Sequence, residues 1–262
     1  MTAELIDIGA NLTHESFAND LDEVLDEARA EGVSALVVTG ASATGSEEAL
    51  RIARQCGLVA TAGIHPHHAE ETTDDVISRL DALLAAPEVV AVGETGLDYF
   101  RDLSPRKQQI ASFERHIELA IKHELPMFLH ERDAYPDFAE VLRPYRDHLG
   151  RLVVHCFTGE GDALRAYLDL DCHIGITGWV CDERRGTHLA PLLKEIPDDR
   201  LMIETDSPYL MPRTIRPKPK SRRNEPRYLP WVCRFIADVL GDSYEAVAAR
   251  TTRNARHFFG LE

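Results

Sequence analysis

No stretch of this 262-residue chain approaches the roughly 18 consecutive apolar residues of a membrane span. The opening Met1-Thr2-Ala3-Glu4 has no basic character and no apolar stretch follows it, so a signal peptide is not expected and a cytoplasmic protein is. Cysteine is scarce and unpaired in pattern. Cys56, Cys156, Cys172, Cys181 and Cys233 are odd in number and never form C-x-x-C. That excludes a disulfide framework and a zinc knuckle, and suits reduced thiols. No G-x-G-x-x-G is present, so a dinucleotide-binding open sheet lacks its signature. Positive charge is also short. Twenty-nine Lys and Arg against 44 Asp and Glu leave −15, which argues against a general nucleic-acid coat protein.

What is present is ordinary globular material, 44% apolar and 28% charged. Short β-branched runs alternate with helical patterns along the whole chain. The predicted strands are Leu5–Ile8, Ala35–Thr39, Val59–Ile64, Val89–Gly93, Met127–His130, Leu152–His155, His173–Thr177 and Leu201–Glu204. They are nearly continuously apolar, as strands covered on both faces must be. Between them apolar residues recur at i, i+3 and i+4. Leu21, Val24, Leu25 and Ala28 form one such face, and Ile110, Phe113, Ile117 and Ala120 another, the latter with Ser104 as expected N-cap and Pro105 at N1. Eight such alternations, in a length near the roughly 250 residues typical of the fold, predict an α/β protein: a single (β/α)8 TIM-barrel domain over 1–262, ending in C-terminal helices.

Barrels of this kind carry their chemistry where the strands end. Here those ends read Asp7-Ile8-Gly9-Ala10-Asn11, Gly63-Ile64-His65-Pro66-His67, Gly93-Glu94-Thr95-Gly96-Leu97-Asp98, Phe128-Leu129-His130, Val154-His155-Cys156 and Glu204-Thr205-Asp206. A lone histidine at a strand end is ordinarily a hydrogen-bonded structural residue. Several imidazoles and carboxylates together require pairing or a cation to offset desolvation. Glu94, His130, His155 and Asp206 are therefore the expected metal ligands, with Glu94 able to bridge two cations. Asp206 is the candidate to orient or deprotonate a metal-bound water. Phosphodiester and carbonyl hydrolysis fit these residues equally.

Charge is unevenly placed. Arg213 to Arg227 holds seven cations against one acid, Glu225, so the rest of the chain carries −21. This segment lies in Ser207–Tyr228, the only long irregular stretch, which holds five of the fourteen prolines. A loop of that length in a compact domain is commonly functional, and its prolines stiffen it.

Together these motifs resemble the TatD family of metal-dependent hydrolases. The resemblance rests on Gly-Ile-His-Pro-His at 63–67, Gly-Glu-Thr-Gly-Leu-Asp at 93–98, His-Cys-Phe-Thr-Gly at 155–159, Ile-Glu-Thr-Asp-Ser-Pro-Tyr-Leu at 203–210 and Arg-Arg-Asn-Glu-Pro at 222–226. Gly-Ile-Thr-Gly-Trp-Val-Cys-Asp-Glu-Arg-Arg-Gly at 175–186 resembles its bacterial DNase subgroup. The resemblance implies a divalent metal, with magnesium first and manganese or zinc as alternatives. It implies 3′→5′ exonuclease activity on single-stranded DNA and RNA, linked to repair of oxidative damage. It makes Glu94, His130 and His155 metal ligands, Glu204 and Asp206 an acidic catalytic pair, and His65 a further catalytic histidine. One departure stands out: the family's D-x-H-x-H on strand 1 is here Asp7-Ile8-Gly9-Ala10-Asn11, so Gly9 and Asn11 replace two histidines.

Arg184, Arg185, Arg222 and Arg223 are the expected phosphate contacts for a single strand, since Lys and Arg neutralise phosphates and arginine grips them bidentately. Tyr99, Phe100, Tyr135, Phe157, Trp179, Tyr209 and Tyr228 supply faces for base stacking, about half of them expected in packing roles. A monomer without membrane attachment is expected. An amidohydrolase or esterase, such as an aminoacyl-tRNA deacylase, is the competing enzyme reading. A non-catalytic binder with a dismantled site is the other, and the intact Glu94, His130, His155 and Asp206 speak against it.

Overall fold

The computed structural model describes residues 3–261. Eight strands follow in sequence order within one sheet: β1 (Leu5–Ala10), β2 (Val33–Val38), β3 (Val59–Ala62), β4 (Val89–Asp98), β5 (Met127–Arg132), β6 (Leu152–Val154), β7 (Cys172–Ile176) and β8 (Leu201–Ile203). The pairs β3–β4, β4–β5, β5–β6 and β7–β8 are parallel, with helical segments between successive strands. This is the (β/α)8 barrel order. Two helices, Leu229–Leu240 and Tyr244–Phe259, follow the last strand as expected.

The chain divides into two compact units. One comprises Val38–His155 and Gly161–His173 and so holds β3 to β6. Its interior is apolar: Val92, Phe128, Leu129, Val153 and Val154 are fully buried on the strands. Phe113 and Phe138 stack with centroids 5.1 Å apart on the helices that cover them. Burying each such side chain contributes about 1.5–3 kcal/mol. The other unit comprises the segment through Val37, Cys156–Glu160 and Ile174 onward. In it β8 meets β1 through a parallel bridge, Ala10 to Ser207, with Asn11 N–H donating to Ser207 O at 2.8 Å.

The strand limits differ from expectation in an informative way. β4 runs to Asp98 rather than Gly93, because its pairing with β5 continues to Asp98 opposite Arg132. Glu94 and Asp98 thus lie inside a strand. Gly96 permits this: at φ +142° a Cβ would stand 2.0 Å from His130 O. β3, β6 and β8 stop earlier, at Ala62, Val154 and Ile203, which leaves His65, His155 and Glu204 just beyond the strands. The expected Ser104 cap is also corrected. The helix is Arg106–His123 with Pro105 at the cap position in extended conformation. Ser104 Oγ instead donates to His67 O at 2.9 Å.

Candidate metal centre and acidic strand end

In the β3–β6 unit three imidazoles converge on one carboxylate oxygen. Glu94 Oε1 lies 2.8 Å from His155 Nε2, 2.9 Å from His130 Nδ1 and 3.3 Å from His65 Nε2. His65 Nε2 and His130 Nδ1 are 3.3 Å apart. The donor atoms of His65, Glu94 and His130 are close enough to share one ion. Burial opposes ionisation of Glu94, but the surrounding imidazoles outweigh it and hold the carboxyl well below its usual range. A charged carboxylate ringed by imidazoles is a donor set that suits a divalent cation.

The tautomers sort these histidines. His130 lies between two carboxylates, with Nε2–H donating to Asp98 Oδ2 at 3.2 Å and Nδ1 2.9 Å from Glu94 Oε1; a cation on Nδ1 would take the place of the proton there while Nε2–H still donates to Asp98. That is the carboxylate–histidine–metal arrangement. His65 is the opposite case. Its Nδ1 accepts the His67 N–H at 3.1 Å, and burial pushes it down to about 4. It is therefore neutral at pH 7, with its single proton on Nε2, facing Glu94. In this tautomer His65 donates a hydrogen bond through Nε2 toward Glu94. His155 stacks on Phe128 with centroids 4.4 Å apart, which fixes its ring.

Sequence reasoning missed the residues that hold this cluster. Asp98 takes His130 and His67 on one oxygen, the latter at 2.8 Å, and the Arg101 N–H on the other at 2.7 Å. Those hydrogen bonds outweigh burial and keep it ionised well below the ordinary carboxylate range. Gln109 clamps the backbone of Asp98, accepting its N–H at 2.8 Å. Further along the same helix, His116 Nε2 accepts the Ile64 N–H at 3.0 Å, while Nδ1–H donates to Ser112 O. Replacing Asp98 by Asn would present an amide N–H to a histidine that must itself donate. Metal affinity is expected to fall about 10–100-fold, measurable by manganese titration calorimetry.

In the other unit, Asp206 follows β8 in a left-handed conformation, φ 51°. Its N–H donates to Gly9 O at 2.9 Å, and its Oδ1 accepts Asn11 Nδ2 at 2.8 Å. The two residues that replace histidines on β1 thus both support Asp206. Glu204 is fully buried and accepts the Cys156 N–H in a short hydrogen bond. Asp7 accepts the Thr205 N–H and hydroxyl and the Gly9 N–H, and burial still pushes it up to about 7.

The loop after β8 is stapled by the Arg-Arg-Asn-Glu-Pro motif. Asn224 Nδ2 donates to Thr205 O at 2.9 Å, and its N–H to Pro208 O at 3.0 Å. Arg223 is taken up inside the protein by Asp20, Ser16 O and Glu225. Arg222 is exposed. Arg184 and Arg185 both reach Asp182. Among the aromatics, Phe157 is buried core, whereas Phe100 and Tyr209 are exposed.

Comparison with known proteins identifies the family. A family model described as TatD related DNase matches residues 6–260. A protein of Pantoea vagans named 3′-5′ ssDNA/RNA exonuclease TatD is 48% identical over 259 residues, 98% of this chain and 100% of that one. One of the same name from Erwinia billingiae is 47% identical, covering 98% and 99%. A TatD family hydrolase from Entamoeba histolytica superposes with a TM-score of 0.89 at 27% identity, covering 99% of each chain. The TatD homologue YJJV of Escherichia coli K12 gives 0.91 at 25% identity over 100% of both. The chain belongs to the TatD-related DNase family of metal-dependent hydrolases.

Proposed function

We propose that this chain is a magnesium-dependent 3′→5′ exonuclease acting on single-stranded DNA and RNA, working as a single-domain cytoplasmic monomer. The observation that carries the hydrolytic reading is the ring of imidazoles on Glu94, with His130 turned by Asp98 so that Nδ1 faces inward. Substrate class comes from the relatives' names and from the cationic loop, for which a small carbonyl substrate has little use. Glu94, His130, His155 and Asp206 would hold the cation, and the cation supplies a water of lowered pKa and a polarised phosphoryl oxygen. His65 donates through Nε2. Glu204 and Asp206 form the acidic pair, with Asp206 taking the proton of the attacking water. Arg184, Arg185 and Arg222 contact phosphates, and Arg223 chiefly holds the loop that carries Arg222. A role in repair of oxidative damage belongs to the same proposal, read by peroxide sensitivity of a deletion strain.

The test is a panel of 3′-labelled, 5′-labelled and circular single strands. Chelation should abolish hydrolysis, and magnesium or manganese should restore it. Circular strands should survive. Cleavage of circles would refute an exonuclease, and preference for an aminoacyl ester would favour the deacylase.

Metal stoichiometry follows from the β1 departure. Gly9 offers no donor and Asn11 already donates to Asp206, so the end of β1 and β8 supplies only hard oxygens. One well-retained ion per chain is expected, with a second recruited by substrate phosphate. Two equally tight ions in a titration of the substrate-free protein would contradict this. Gly9→His with Asn11→His should add affinity at the second position and shift preference toward zinc.

A further inference from the structure

A cleft of about 730 Å³ lies in the β7–β8–β1 unit, between the Gly178–Arg185 segment after β7 and the Leu210–Arg222 part of the loop after β8. On a chain of net charge −15 the charged residues of its lining are, but for one, cationic. Arg184, Arg185, Arg213, Lys218, Lys220 and Arg222 face it, with Asp182 as the one carboxylate. These cations fall into two groups. Asp182, 3% exposed, draws in Arg184 at 3.0 Å, Arg185 at 2.9 Å and Arg213 at 3.7 Å. Arg185 also lies 4.2 Å over the Trp179 ring. Lys218, Lys220 and Arg222 are exposed along the loop.

Arg213 is also paired with Glu183 at 2.7 Å, so two carboxylates face three guanidiniums and the cluster keeps a single net positive charge in a fixed geometry. A fixed fork of arginines fits phosphodiester oxygens, and the partly buried indole beside it offers a π-face. A solvated loop that only aids solubility needs neither the buried anchor nor a concave wall.

We infer that this cleft is a preorganised subsite for single-stranded nucleic acid, holding the phosphates of nucleotides that precede the reacting 3′ end. The inference rests on the nuclease reading above and extends it. In this scheme Asp182 positions Arg184 and Arg185 as a fixed phosphate fork, and Lys218, Lys220 and Arg222 supply the further cations that neutralise phosphates. The cleft makes affinity depend on strand length: a very short oligonucleotide has too few phosphates to engage its cations.

The experiment is fluorescence anisotropy of labelled oligothymidylates, about three and about twelve nucleotides long, in chelator so that nothing is hydrolysed. The wild type should bind the longer strand more tightly. Lys218→Ala with Lys220→Ala and Arg222→Ala should weaken that binding at least about tenfold. It should also flatten the salt slope by about 0.7 for each phosphate deprived of its cation. Binding of the short strand should change far less. Equal weakening on both lengths, or an unchanged salt slope, would overturn the inference.

Asp182→Asn gives a test of opposite sign. It makes the cleft more cationic, so a loose electrostatic patch would bind more tightly. A positioning carboxylate predicts binding weaker by about fivefold, because Arg184 and Arg185 lose their anchor while Arg213 keeps Glu183. Tighter binding by this variant would overturn the positioning role. Thermal melts matched to wild type guard against misfolding in both variants. Binding in chelator by a wild type that cleaves nothing in magnesium or manganese would leave the cleft standing and remove the nuclease reading.

Discussion

Glu94→Gln should abolish hydrolysis, with kcat down by at least about 100-fold and more than for any single histidine change. Three imidazole nitrogens contact one oxygen of this carboxylate, and it is buried within β4. The amide keeps the shape and removes the charge. It also gives the imidazoles a neutral partner in a site shielded from water, where electrostatic interactions are largest. Removing any one histidine leaves the carboxylate and the other rings in place. The check is kcat on a 3′-labelled strand beside manganese binding measured by calorimetry. Full activity in Glu94→Gln would remove the metal assignment altogether.

The second large effect concerns Asp206. Asp206→Asn should lower kcat about 10²–10⁴-fold, the usual contribution of a general base, with KM changed far less. Asparagine tolerates the left-handed backbone at φ 51° and can keep its carbonyl oxygen toward Asn11 Nδ2. The variant should therefore fold and melt like wild type, which separates loss of a proton acceptor from loss of structure. A variant of near-normal kcat would assign the acidic role to Glu204 instead.

Much of this was legible in the sequence, for identifiable reasons. Parallel strands covered on both faces write continuous apolar runs, so all eight could be found from residues alone. The histidines and carboxylates stood out because they interrupt those runs at their ends. The limits of β4 were not legible. The apolar run ends at Gly93, whereas pairing with β5 continues to Asp98, and at Gly96 the backbone of β5 approaches too closely for any Cβ. Nor were Gln109 and His116 visible, since polar residues on an amphipathic helix ordinarily face water. Here both are fully buried and hold the backbone beside Asp98 and His65. Arg222 and Arg223 looked equivalent in sequence. Only the position of Asp20, about two hundred residues away along the chain, separates them.

The Pro208–Asn224 hydrogen bond ties the two ends of the loop after β8 to each other, and Asn224 fastens them to Thr205. The chain leaves and returns at one fixed point, with Pro212 and Ile215 buried between, so the largely exposed residues 216–222 form the replaceable part. Doubling the length of such a loop costs only about 0.6 kcal/mol of closure entropy. Segments of other lengths and charges can therefore be grafted in place of residues 216–222 while Asp206 stays seated. The barrel becomes a chassis whose substrate range is changed by loop exchange rather than by mutation of the reacting groups.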